Sequence, residues 1–309
     1  MRSWLLLFTC NLMWALQFTC IKLVQDQVGP MFTVWGPMTL AMFMLLPLIR
    51  RERASKPTAA RSTMARTYFL LAALGVVPAQ VLMTWGTRLS LASNAAVINL
   101  TLPVATAIFA VIFLRERMTP VRALSFGVAV AGVLLCSAGD LRALSFDSKY
   151  LVGNGLIFLA TLGSAFYNSY GKKALEWHSP MRMLFWTYVA VCVMMAPFVL
   201  VNEGQVFTRI PSFTAQTWLG LAILTLFHNF ASMVLFLSAL QNLDAIQAAL
   251  SNYLITFFGV PIAAIWLGEK VTTSAIAGGV LVLGGTLLIT VWEELRRPAA
   301  DLVPPAERA

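Results

Sequence analysis

Apolar runs of about twenty residues recur along the whole chain, and an α-helix needs this length to cross the hydrocarbon core of a bilayer. Helices and closed barrels are the structures that satisfy their backbone hydrogen bonds in lipid. A membrane barrel would alternate polar and apolar residues in short strands, and these runs do not alternate. Charged residues make up 11% of the chain, about half the fraction found in soluble domains. The sequence therefore predicts an all-α polytopic membrane protein surrounded by the lipid bilayer.

The apolar segments number ten and predict ten transmembrane helices. They span residues 4–24, 30–49, 67–88, 93–114, 120–138, 152–172, 180–201, 214–239, 243–266 and 273–292. If the N-terminus is cytoplasmic, 16 of the 22 lysine and arginine residues fall on the cytoplasmic side. This bias matches the positive-inside rule. It predicts a multi-pass protein of the bacterial inner (plasma) membrane with both termini in the cytoplasm.

The two halves of the chain share a sequence pattern. Residues 94–100 match residues 247–253, and Glu116 matches Glu269, all at one offset of 153 residues. Each half holds five segments, and because five is odd the second half must enter the membrane inverted. Inverted repeats are typical of secondary transporters, which work by alternating access around a site between the repeats. The predicted organisation is a first five-helix repeat at 1–138, a connecting loop at 139–151, a second five-helix repeat at 152–293 and a short cytoplasmic tail at 294–309.

A Leu-x-Glu-Arg/Lys turn follows the fourth segment of each half, at residues 114–117 and 267–270. Two tandem five-helix units with this turn resemble the EamA family of the drug/metabolite transporter superfamily, over roughly residues 4–292. The resemblance implies a ten-helix transporter fold, often associated with export of amino acids or other metabolites, and it specifies no cargo. Arg115 departs from the pattern, because a small residue such as Gly268 is common at this position.

Charged residues avoid the middle of the predicted helices. The carboxylates lie in loops or at helix ends, and the sequence offers no lysine or arginine near the midplane. A carrier of phosphorylated sugars or nucleotide derivatives would need such cations, so a neutral or zwitterionic solute, an amino acid or related metabolite, fits better. The phosphorylated cargo and a non-transporting membrane protein remain the alternatives. The sequence has no HExxH or GxSxG motif and no paired intramembrane acids, and we expect no enzyme activity.

Uncharged polar and aromatic residues at mid-depth are the candidates for binding a substrate. Amides and hydroxyls suit the charged ends of an amino acid, and aromatic rings suit its side chain. His228 is the one ionisable residue deep within a segment, and Asn99 and Asn252 occupy equivalent repeat positions. Hydrogen bonding between helices is the alternative role for these residues. The candidate substrate-binding residues are Asn11, Trp14, Gln17, Gln80, Thr84, Asn99, Tyr167, Asn168, His228, Asn229, Asn252 and Tyr253.

The remaining features indicate structural roles. The net charge of +9 comes from basic residues at helix ends, so we expect no nucleic-acid partner. Four cysteines lie in apolar runs without a CxxC pair, and we predict no metal site and no cofactor. Glu116 and Glu269 are expected to cap the next helix or to pair with the adjacent base. Small residues four apart at Gly127 and Ala131 predict a close helix contact, either between the repeats or in a homodimer.

Overall fold

The computed structural model of the chain describes residues 2–51, 61–89, 98–99, 101–136, 148–176, 179–255, 257–258, 262 and 273–295. Several predicted features lie outside these residues. They are the turn at 267–270, most of the repeat match at 94–100, most of the connecting loop at 139–151 and the tail from residue 296 onward.

The described part of the chain is helical and contains no strand. The helices, numbered in chain order, are α1 (Arg2–Ala15 and Gln17–Val24), α2 (Pro30–Arg51), α3 (Arg61–Leu70, Leu71–Val76, Pro78–Leu82 and Met83–Leu89), α4 (Leu102–Leu114), α5 (Pro120–Cys136), α6 (Ser148–Ala174), α7 (Pro180–Glu203), α8 (Ala215–Ile223, Leu224–Ala231 and Ser232–Asn242), α9 (Ala245–Ser251) and α10 (Thr273–Leu295). Short helical turns at Val206–Arg209 and Ile210–Ser212 connect α7 to α8.

Polar and apolar side chains are distributed as a lipid environment requires. Six helical stretches in the described residues are long and apolar enough to cross a membrane, and three shorter ones are also apolar. Large apolar side chains face outward, such as Val201, which is 83% exposed, while polar Asn11 and Ser251 are fully buried. A water-soluble surface would not carry so many exposed apolar residues. The prediction of an all-helical protein with several membrane-crossing helices is confirmed.

Helices from the two halves of the chain pack against each other in pairs. α5 lies along α10, α2 along α7, and α1 against α8, while α6 packs on α3 and α4. Gly132 of α5 marks a close approach, because an added Cβ atom there would lie 2.7 Å from the carbonyl oxygen of Gly278 in α10. A glycine at this position lets the two backbones come together.

The predicted small-residue contact at Gly127 and Ala131 does not join α5 to α10. An added Cβ atom at Gly127 would meet no described atom within 4 Å, and Ala131 is exposed. Each residue turns about 100° around a helix, so Gly132 lies about 140° away from Gly127. The contact between the halves uses that other face of α5, and the homodimer stays a prediction.

The Glu203 side chain, at the end of α7, holds the N-terminus of α2. Its carboxylate accepts hydrogen bonds from the backbone N–H groups of Met31 (3.0 Å) and Phe32 (2.7 Å). Gly29 leaves room for this contact, since an added Cβ atom would lie 2.2 Å from the carboxyl carbon of Glu203. The first N–H groups of a helix have no partner within the helix, and a negative charge there also interacts favourably with the helix dipole.

Glu116 caps a helix in the same way, but not the helix expected. Its carboxylate accepts hydrogen bonds from the N–H groups of Ala245 (2.8 Å) and Ile246 (3.0 Å) in α9. The prediction of a cap is correct, and the prediction that the next helix receives it is wrong. The start of α5 has less need of it, because Pro120 has no N–H group and the Thr119 hydroxyl already accepts a hydrogen bond from the first turn.

Replacing Gly132 with alanine should destabilise the protein by about 1–3 kcal/mol, because the added methyl group must displace the α10 backbone. Gly127→Ala is the matched control in the same helix. Its space is open and alanine favours a helix, so it should be neutral or stabilising by up to about 1 kcal/mol. The melting temperature of the detergent-purified protein measures both changes. Equal melting temperatures for the two variants would contradict this packing of α5 on α10.

Glu203→Ala should destabilise the protein by about 1–2 kcal/mol, because it leaves two N–H groups of α2 without their acceptor. Asn202→Ala removes an exposed side chain from the adjacent position and should change stability by less than about 0.5 kcal/mol. Thermal unfolding of both variants tests the cap, and an Asn202→Ala effect as large as that of Glu203→Ala would refute it.

Candidate functional site

A cavity of about 110 Å³ lies between the two halves of the helix bundle. This volume is several times what one buried water molecule needs, so the cavity has room for a small solute. Helices α1 to α4 and α6 to α8 line it together with residues that follow α9, and no described residue of α5 or α10 takes part. We call this space the central cavity.

Nine of the twelve predicted site residues line the central cavity, and they come from both halves of the chain. They are Trp14, Gln17, Gln80, Asn99, Tyr167, Asn168, His228, Asn229 and Asn252. Their common signal in the sequence was an uncharged polar or aromatic side chain at mid-depth in an apolar segment. The structure brings these nine together, and their role in binding stays a prediction.

The other three predicted residues, Asn11, Thr84 and Tyr253, are buried outside the cavity lining. The side-chain amide of Asn11 donates to the hydroxyl of Ser251 (3.0 Å) and so joins α1 to α9. The Thr84 hydroxyl donates to the carbonyl oxygen four residues earlier in α3 (2.9 Å). The Tyr253 ring packs edge-on against Phe126, with 6.2 Å between the ring centres. For Asn11 the alternative role, a hydrogen bond between helices, is the one that the structure shows.

The cavity also includes residues that the sequence analysis did not single out. Ser164 lies three residues before Tyr167 and four before Asn168, so helical spacing places all three on the same face of α6. Tyr188 and the methionines were not predicted, because aromatic and apolar residues in a membrane helix suit lipid, core and cavity alike. The additional lining residues are Met38, Val76, Ala79, Met83, Leu102, Ser164, Tyr188, Met233, Phe236 and Ile255.

Wide π-helical turns occur in α3 and α8 where these helices meet the central cavity. In α3 they span residues 71–76 and 78–82, and the second begins at Pro78, whose nitrogen has no hydrogen to donate. In α8 the wide turn spans Leu224–Ala231 and contains His228. A π-turn changes the direction of the side chains that follow it, and such turns are frequent at functional sites.

Hydrogen bonds fix part of the cavity lining. The Tyr188 hydroxyl of α7 donates to the backbone oxygen of Asn229 in α8 (2.7 Å). The side-chain amide of Asn229 donates to the carbonyl oxygen of Leu224, five residues earlier in the same wide turn (2.8 Å). Gln17 donates through Nε2 to Oε1 of Gln80 (3.2 Å), which links α1 to α3. These side chains are held in position and shape the cavity.

Other polar atoms of the lining have no hydrogen-bond partner among the described residues. They are Nε1 of Trp14, the hydroxyl of Tyr167, Nδ1 of His228 and both amide atoms of Asn252. A buried polar group that stays unpaired costs about 1–3 kcal/mol. A polar solute or water in the cavity would remove this cost by supplying donors and acceptors. The arrangement therefore suits the binding of a small polar ligand.

The described lining of the central cavity contains no aspartate, glutamate, lysine or arginine. A ligand with a net charge would lose its hydration there without an opposite charge to offset the loss. A neutral or zwitterionic ligand would instead meet both hydrogen-bond donors and acceptors. Trp14 and Phe236, whose ring centres lie 5.0 Å apart, add an aromatic surface for an apolar part of the ligand.

Comparison with known proteins gives consistent matches. The model of the EamA-like transporter family matches residues 1–138 and 151–291. The chain is 26% identical over 293 residues to a probable terminal-alkyne amino-acid exporter of Streptantibioticus cattleyicolor. This alignment covers 93% of this chain and 92% of the exporter. It is 24% identical over 213 residues to an S-adenosylmethionine uptake transporter of Rickettsia bellii, and this alignment covers 68% of both proteins.

A solved crystal structure has a similar fold. The TM-score is 0.74 at 14% identity, and the match covers 96% of this chain and 99% of that one. The two tandem family matches extend over most of the chain and include every residue that lines the central cavity. Membership of this transporter family implies a membrane environment and a small-molecule substrate. This chain is a multi-pass membrane protein that belongs to the EamA-like transporter family.

Proposed function

We propose that this chain is a secondary transporter that exports small neutral or zwitterionic organic solutes, amino acids or related metabolites, across the inner membrane by alternating access. The observation that carries the proposal is the lining of the central cavity. Both halves of the chain contribute uncharged polar side chains to it, and several of their polar atoms have no partner among the described residues. A site between the two halves is what alternating access requires, because the halves can then open it to either side.

The proposed architecture is ten transmembrane helices in two inverted repeats, at 1–138 and 152–293. An inverted arrangement has a two-fold axis in the membrane plane, and such an axis pairs helices that are equivalent in the two repeats. The packing of α2 on α7 and of α5 on α10 supports it, since each pair joins equivalent helices. The basic residues support an orientation with both termini in the cytoplasm.

The absence of charged side chains from the described lining favours a neutral or zwitterionic cargo over a phosphorylated one. The name of one relative agrees with this choice, because a terminal-alkyne amino acid is zwitterionic. S-adenosylmethionine, the cargo named for the other, contains an amino-acid group but carries a net positive charge from its sulfonium. The first of these relatives is named as an exporter and the second as an uptake transporter. We favour export because the exporter aligns with 93% of this chain.

Asn252→Ala should raise the KM for a transported amino acid about tenfold, because one or two hydrogen bonds to the solute are lost. Asn242→Ala is the matched control, since that asparagine is exposed at the end of α8 and bonds within its own helix. The measurement is uptake of a radiolabelled amino-acid panel into proteoliposomes, with and without a pH gradient. Efflux from preloaded proteoliposomes of known protein orientation gives the direction.

Two results would contradict the proposal. One is that wild-type protein transports no amino acid in the panel, which would remove the cargo class and move the test to phosphorylated sugars and nucleotide derivatives. The other is that Asn242→Ala raises the KM as much as Asn252→Ala, which would remove the central cavity as the binding site.

A further inference from the structure

A second cavity, of about 280 Å³, lies where α4, α6 and α8 end. Unlike the central cavity, it carries charged side chains. Its lining residues are Leu114, Glu116, Lys172, Leu175, Glu176, Gln241 and Asp244. The distribution of lysine and arginine predicts that this end of the bundle faces the cytoplasm. We call this space the inner vestibule.

Buried residues lie between the inner vestibule and the central cavity along the helices that border both. In α6, Asn168 lines the central cavity and Lys172, one turn later, lines the vestibule. On the α9 side, Asn252 lines the central cavity and Asp244, about two helical turns earlier, lines the vestibule. The buried residues between the two spaces include Ala110, Ser169, Leu240 and Ala248. A solute in the central cavity therefore reaches the vestibule after these residues have parted.

The α8–α9 turn, which borders the vestibule, is held by charged groups on both sides. The Glu116 carboxylate, from the first half of the chain, accepts hydrogen bonds from two N–H groups at the start of α9. Lys172 donates to the carbonyl oxygens of Leu240 (2.9 Å) and Leu243 at the end of α8. Hydrogen bonds to charged groups are about twice as strong as those between neutral groups.

A third contact joins the two halves at the same place. Arg122 of α5 forms a salt bridge with Asp244 and donates to the carbonyl oxygen of Arg117 (3.1 Å). Arg122 and Glu116 belong to the first half, while Asp244 and Lys172 belong to the second. We call Glu116, Arg122, Lys172 and Asp244 the inner clasp.

We propose that the inner clasp is the gate on the vestibule side of the central cavity, and that its Glu116 contact with α9 must break before solute can pass between the two spaces. This inference rests on the proposed transport function. Glu116 and Arg122 join the first half of the chain to the α8–α9 turn of the second half, so any motion that parts the halves at this end must break their contacts. The left-handed backbone of Arg115, with φ at 56°, ends α4 one residue before Glu116 and so sets where the carboxylate lies.

Protonation of Glu116 provides a route to release. Burial raises the pKa of the Glu116 carboxyl above its ordinary value, although two backbone N–H groups and Lys172 favour the charged form. The other charged groups near it are Asp244 of the α8–α9 turn, Glu176 just after α6, and Arg122 of α5 through its pair with Asp244. A protonated carboxyl holds the α9 N–H groups less strongly, so the clasp weakens as the pH falls through this raised pKa.

The test measures how fast a cysteine in the central cavity reacts with a membrane-impermeant maleimide added on the vestibule side. The reporter is Ser164→Cys in a background without the four native cysteines, in inside-out vesicles. Glu116→Gln, which removes the charge and keeps the shape, should speed labelling about tenfold at neutral pH. Glu176→Gln is the matched control, because this exposed carboxylate lines the same vestibule and caps no described helix. Its labelling rate should stay within about twofold of the parent rate.

A pH profile separates gating from mere loosening of the structure. Between about pH 7.5 and about pH 5.5, the labelling rate of the parent should rise relative to that of Glu116→Gln, which has no proton to gain. If Glu116→Gln does not fold, as judged by its elution and melting temperature, Arg122→Gln takes its place, because it removes the other contact that joins the two halves at this turn and should also speed labelling.

Unchanged labelling in Glu116→Gln, or equal acceleration in Glu176→Gln, would overturn the gate. The labelling assay needs no cargo, so its failure is distinct from failure of the proposed function. If wild-type protein transports nothing while the labelling rates behave as expected, the clasp stands as a conformational lock and the cargo assignment falls.

Discussion

Within the hydrocarbon of a bilayer, a polar group has to find its partner inside the protein or in a wetted cavity. The backbone meets this requirement by folding into helices over the described part of the chain. The side chains meet it in two ways. Asn11 bonds to Ser251 across two helices, while Asn252, one residue further along, keeps both amide atoms without a partner among the described residues. The same constraint therefore accompanies a packing contact at one position and, beside it, an amide that lines the central cavity.

The two halves of the chain hold each other through helix N-termini. Glu203 of the second half caps α2 of the first, and Glu116 of the first half caps α9 of the second. In the proposed topology these caps lie on opposite faces of the membrane. Burial raises the pKa of the Glu116 carboxyl, so the release proposed for its cap is favoured as the pH falls.

The sequence predicted the helical fold and nine of the nineteen residues that line the central cavity. It could do so because lipid penalises polar groups so strongly that polar residues at mid-depth usually line a cavity or are paired. Residue type alone could not tell a polar residue that lines the cavity from one that is paired with another helix, and for this reason Asn11 and Asn99 looked alike. The sequence also could not show which helix Glu116 caps, since the N–H groups that it accepts from lie more than 120 residues away in the chain. The choice of Gly132 over Gly127 as the contact depends on which face of α5 meets α10, and that is a property of the assembled bundle. Tyr188 was missed because an aromatic residue in an apolar helix suits several environments.

We propose that solute binds in the central cavity, whose described lining carries no charged side chain. The most direct measurement is competition against the transported solute by pairs of amino acids that match in size and differ by one charge, asparagine with aspartate and glutamine with glutamate. We expect the acidic member of each pair to compete at least about tenfold more weakly, because its extra charge finds no partner to offset lost hydration. Equal or tighter competition by aspartate and glutamate would contradict the account and indicate a cation at the binding site.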